Sequence, residues 1–165
     1  MLSLLATGLA ILWLSGYFNR PGQAVAILGR EHIQWGPPPQ YNSRPPTSGP
    51  HYANQIADWG LHEQKIEDPL QVATLEQGAV IIHYEPEKHP VLPDPIRDQL
   101  RKLVKRLRAE PRYCKLVLAP YPNLGTKIAL TAWGRIDRFD TYDEARILRF
   151  IDAYIDQGPE DAPCL

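Results

Sequence analysis

The sequence predicts a small α+β or α/β domain, a sheet of about four strands with helices packed on it, preceded by an N-terminal transmembrane helix. Three observations carry this reading. Residues 2–18 are an uncharged apolar run, and residues 79–84 (AVIIHY) are a β-branched run flanked by segments of helical periodicity. The length of 165 residues suits one core of about 100–150 residues with an appendage. The expected organisation is a membrane anchor at 1–20 and one domain at 21–165, with a proline-rich loop at 35–60.

The run LSLLATGLAILWLSGYF at 2–18 is just long enough to span a bilayer as a helix, and Trp13, Tyr17 and Phe18 lie toward one end, as interfacial aromatics do. A cleaved signal peptide competes, since Ala24-Val25-Ala26 has the A-x-A form, but it lies far beyond the apolar run and no basic segment precedes it. A buried core helix is the third option. Arg20 and Arg30 follow the run with no basic residue before it, which favours a cytoplasmic body. The cysteines point the other way. Cys114 and Cys164 are the only two, and a bond between them would tie down the tail by closing a loop of about 50 residues, worth on the order of 4 kcal/mol in an oxidising compartment. Two unpaired thiols are the alternative.

Along the body, Ala24 to Ile33 reads as a strand broken by Gly29. Residues 35–60 exclude a helix, because each proline removes a donor and biases its predecessor to extended geometry. Residues 69–77 read as a helix that starts on Pro69 and stops against Gly78. AVIIHY should be a central strand buried on both faces. Asp94-Pro95 caps a second helix with Ile96, Leu100, Leu103, Val104 and Leu107 on its inner face. Lys115 to Ala119 and Lys127 to Trp133 are two strands expected to pair as an antiparallel hairpin. Thr141 and Glu144 form a capping box for a last helix carrying Ile147, Leu148, Ile151, Tyr154 and Ile155 inward, closed by Gly158-Pro159.

Eighteen basic and nineteen acidic side chains leave a net charge of -1, which argues against a nucleic-acid partner. The arc Arg97, Arg101, Lys102, Lys105, Arg106 and Arg108 opposite the apolar stripe reads as a solvated helix face, with anionic lipid as the alternative contact. No G-x-S-x-G elbow or phosphate-binding glycine loop is present, and none of the five histidines forms an H-x-x-x-H or H-x-x-E-H pair. Any metal site must be gathered from separate segments. His83 shares a face with Ile81 and reads as a core histidine, and His89 as solvent-facing. His51 has the suggestive setting, held by Ser48-Gly49-Pro50 in the stretch YNSRPPTSGPHY at 41–52.

The ordered set PPTSGPHY (45–52), WG (59–60), LEQGAVIIHYEP (75–86), TAWGR (131–135), F-x-x-x-Y (150–154) and GPE (158–160) resembles bacterial domain-of-unknown-function family 3105. The resemblance implies an N-terminal membrane segment and an extracytoplasmic body. It also implies an H-x-L-E-H-G motif, which here reads A-T-L-E-Q-G: the two imidazoles fall on Ala73 and Gln77, while Leu75, Glu76 and Gly78 match. His51 and Glu76 would then be the remnant of a shared site.

The expected function is therefore a membrane-anchored, extracytoplasmic, non-catalytic binding or accessory subunit of a membrane complex. Its contact residues are Tyr41, Arg44, Ser48, His51, Tyr52, Trp59 and Glu76, because aromatics in a stiffened loop lose little entropy on binding. The alternative is a copper- or zinc-binding protein, or a metal-dependent hydrolase, with a degenerate site drawn from His51, His62, His83 and Glu76. The spacing between His51 and the nearest other ligand separates the two. A third possibility is that the loop covers the domain's own sheet, with Tyr41, Tyr52 and Trp59 in the core.

Overall fold

The β-branched and aliphatic runs of the body line up side by side as the centre of one mixed sheet. The computed structural model describes residues 20–34, 36–37, 39–86, 94–160 and 162–164. In chain order the elements are β1 (Gln23–Ala24), β2 (His32–Ile33), β3 (His51–Tyr52), β4 (Gly60–Leu61), α1 (Asp68–Glu76), β5 (Val80–Tyr84), α2 (Pro95–Leu107), a 3₁₀ turn (Pro111–Tyr113), β6 (Leu116–Pro120), β7 (Ile128–Ala132), β8 (Arg135–Phe139) and α3 (Glu144–Tyr154). The large sheet runs β1-β8-β7-β5-β6-β4, and β2 and β3 form a separate two-stranded parallel sheet.

The expected fold class needs correction. The sheet has six mixed strands rather than about four, and a second small sheet stands beside it. The apolar run at 2–18 lies outside the described residues, and among the described residues no helix is long and apolar enough to cross a membrane. The single strand expected at 24–33 is instead two short strands in different sheets, β1 at the sheet edge and β2 against β3. Nor do the strands β6 and β7 form a hairpin. β5 lies between them, parallel to β6 and antiparallel to β7, because it is the most apolar strand and is buried along its whole length. The hairpin is β7–β8, with Ala132 opposite Arg135. β8 escaped notice because RIDRF looks polar, yet Asp137 is buried and met by both arms of Arg146 at 2.6 and 2.8 Å.

Alternation along β5 divides the core. Val80, Ile82 and Tyr84 join Leu116, Leu118, Ile128 and Leu130 beneath α2 and α3. Ile81 joins Val117 and Ala119 on the opposite face, beneath Leu75 of α1 and Ile66 and Ala57 of the preceding segment. The proline-rich stretch also covers this second face. The helix α2 begins as expected, with Asp94 accepting from the Arg97 N–H at 3.0 Å. At α3 the cap is Asp143 rather than Thr141, accepting from the Arg146 N–H at 2.9 Å.

The C-terminal segment returns to the end of α1. Asp156 N–H donates to Gly78 O at 2.8 Å and Glu160 N–H to Glu76 O at 3.0 Å. Cys164 is bonded to Cys114, as one of the two sequence readings expects. The bond closes a loop 50 residues apart in sequence. Replacing both cysteines by serine should lower unfolding free energy by about 2–4 kcal/mol in urea titrations. Adding a reductant should bring the native chain down to the same value; an unchanged variant would contradict the role given to the bond.

Candidate functional site

Glu76 is the last residue of α1, and its carboxylate is the main oddity of the fold. It is 2% exposed, and it stands at the negative end of the helix dipole, in a last turn that carries no basic residue. A buried carboxylate in that position needs positive charge brought to it from elsewhere. Gly78 ends the helix with φ +85°, so the chain can reverse directly into β5.

The first donor comes from the segment between β1 and β2. Arg30 Nε donates to Glu76 Oε1 at 2.6 Å, and its other arm reaches Glu160 Oε1 at 2.6 Å. The hydrogen bond to Glu76 raises the Arg30 guanidinium further above its ordinary range. Gln77 Nε2 holds the second Glu160 oxygen at 2.7 Å.

The second group is His51, 1% exposed. Its Nδ1–H donates to the Gly49 carbonyl at 2.8 Å, which fixes the tautomer and leaves Nε2 directed the other way. Gly49 has φ +122°, and a Cβ there would crowd Leu28 and the Tyr41 ring at 3.3 Å. That conformation turns the carbonyl to the imidazole. His51 Nε2 stands 2.7 Å from Glu76 Oε2, an ion pair when the imidazole is protonated, and among the described residues this buried nitrogen meets no other hydrogen-bond partner.

The third group is His32. The register of β2 on β3 sets His32 directly opposite His51, and the two rings meet edge to face with centroids 5.1 Å apart. One ligand atom each from His32, His51 and Glu76 lie within 4.8 Å of one another. His32 and Glu76 of this group border a cleft of about 210 Å³ that is also lined by Tyr52, Ala73, Gln77 and Glu160.

Of the residues singled out in the sequence, Tyr52 and Glu76 line this cleft, and His51 is joined to it through Glu76. Ser48 supports them from behind: its buried hydroxyl accepts from the Leu28 N–H at 3.1 Å. Tyr41 donates to Pro50 O at 2.7 Å. Arg44 lies elsewhere, donating to Pro122 O and standing over the Tyr121 ring. Trp59 lines a neighbouring hollow with Arg108 and Pro163. Neither His62 nor His83 is in the cluster. His62 bonds to the Asp58 carbonyl, and His83 is held in the sheet by Thr131 Oγ1 at 2.9 Å. His32, Arg30 and Glu160 were missed, because only the parallel pairing of β2 with β3 and the return of the tail bring them in. Ala73 and Gln77, where the H-x-L-E-H-G pattern would place imidazoles, both line the cleft.

A family model described as "Protein of unknown function (DUF3105)" matches residues 32–165. The chain belongs to this family. The match takes in His32, His51, Glu76 and Glu160, so the whole cluster except Arg30 falls inside the family's domain. No curated protein and no solved structure matches the chain.

His83 gives a pH signature separate from the cleft. Burial, aided by Lys65, pushes its imidazole down to about 3. In the unfolded chain it returns to about 6.5, so on acidification the unfolded state takes up the proton first. The contribution of His83 to stability should therefore be flat above about pH 6.5 and fall as the pH drops toward 3. A His83→Gln variant should lose less stability than the native chain between pH 7.5 and pH 5 in urea titrations, and an equal loss would contradict this assignment.

Proposed function

We propose that the domain binds a single transition-metal ion, zinc(II) or copper(II), through His32, His51 and Glu76. The carrying observation is the convergence of the buried Nε2 of His51, a Glu76 oxygen 2.7 Å from it and a second imidazole alongside. The supporting shell has the form such sites take. The far nitrogen of His51 is held by a backbone carbonyl, and the far oxygen of Glu76 by Arg30. Donor atoms on a tetrahedral ion at bonds near 2.0–2.1 Å sit about 3.3 Å apart, so Glu76 must swing about half an ångström to admit the ion.

Two nitrogens and a carboxylate oxygen suit zinc(II) or copper(II), not the softer copper(I). No thiolate is free to change that, since the only two cysteines are bonded to each other. That bond also supports an oxidising, extracytoplasmic setting. Binding is favoured over hydrolysis because Glu160, the other carboxylate of the cleft, has both oxygens engaged by Arg30 and Gln77. It is poorly placed to take a proton from a metal-bound water.

A second reading, an accessory subunit with a protein partner, is favoured by Ile27, Leu28 and Ile56, large apolar side chains left exposed. The Tyr41–Tyr52 loop contributes little to such a surface, since Ser48, His51 and Tyr52 are buried.

Titration calorimetry of the full chain with zinc(II) should show one ion per chain. His32→Ala, at an exposed position, should weaken binding at least tenfold while leaving the unfolding midpoint of the metal-free protein unchanged, and His62→Ala should leave binding intact. Equal behaviour of the two variants would contradict the donor set.

A further inference from the structure

We infer that the metal site, if the reading above holds, takes its fourth ligand from outside the chain, and that the cleft beside Ala73 is the subsite for it: a neutral, imidazole-type nitrogen base. Three donors leave a zinc(II) or copper(II) ion short of the four it holds in closed sites. The wall where a fourth would stand is Ala73, one helical turn before Glu76 on α1, with a methyl group and no donor atom. The cleft of about 210 Å³ is lined by two of the donors, His32 and Glu76, together with this wall, so a small molecule or a projecting side chain can reach the ion.

The lining selects among ligands. Glu76 and Glu160 both border the cleft, and Arg30 is paired with both, so the selection falls to the shape and polarity of the lining, which suit a small neutral ring. Its flat faces find Tyr52, Ala73 and Ala162, and its second N–H finds the amides of Asn54 and Gln55 at the rim. An imidazole satisfies both requirements: one nitrogen for the metal and one N–H for an amide oxygen. Free histidine, or a histidine side chain presented by another protein, offers that group.

The test uses the full chain loaded with one equivalent of copper(II), read by electron paramagnetic resonance while imidazole is added. One imidazole per chain should join the ion, seen as one added nitrogen coupling in a saturable transition with copper retained. Ala73→His should show the added nitrogen without imidazole and then ignore it. Because position 73 is buried, Gln77→His, half-buried at the same wall, serves as a second variant with the same expected result. A spectrum that imidazole does not alter, or imidazole that strips copper from the chain, overturns the subsite and leaves the metal reading standing. A chain that takes up no copper(II) overturns both.

Discussion

A carboxylate buried at the wrong end of a helix organises the cleft side of this protein. Glu76 lies where the α1 dipole is negative and solvent is excluded, and such a group is tolerated only when positive or proton-bearing partners are delivered to it. The chain delivers Arg30 from before β2 to one oxygen and His51 from β3 to the other, while His32 on β2 stands against His51 and the tail brings Glu160 to share Arg30. Each delivery fixes a segment that has little secondary structure of its own. The short parallel pair β2–β3 exists where two histidines face each other, and the tail is fastened at Glu76 by its backbone and at Cys114 by the disulfide.

This accounts for the proline-rich stretch. It cannot form a helix, and the second face of the sheet still needs covering, because β5 is buried on both sides. Stiff extended chain does the covering at a low entropic cost. Thr47 and Ser48 are fully buried there. Among the described residues the local rules of the fold are obeyed almost everywhere, in the capped helices, the alternating strands and the paired Asp137. They are broken at Glu76, buried at the end of its helix, and at buried polar atoms without a hydrogen-bond partner on Thr47, His51, Gln71, His83 and Arg97. Local conflicts of that kind concentrate where a fold serves a ligand.

Much of this was legible in the residues. The periodicity of α2, the β-branched run of β5 and the stop at Gly78 were readable because each depends on neighbours in sequence. His51 and Glu76 could be singled out from their setting. What was not legible depends on register between distant segments. β1 to β4 are two residues each and carry no periodicity, β8 hides its inward face behind charges, and the order β7-β5-β6 follows from burial rather than adjacency. His32 was passed over for the same reason: nothing in its neighbours indicates that it will lie opposite His51.

The central claim is that two histidines and a glutamate close on one ion. A crystal structure of the zinc-loaded full chain, with an anomalous difference map at the zinc edge, tests it directly. A single peak is expected between His32 Nε2 or Nδ1, His51 Nε2 and Glu76 Oε2, with bonds of about 2.0–2.2 Å and Arg30 still on the far oxygen of Glu76. A map without a peak there, or with its peak on His62 or His83, would contradict it.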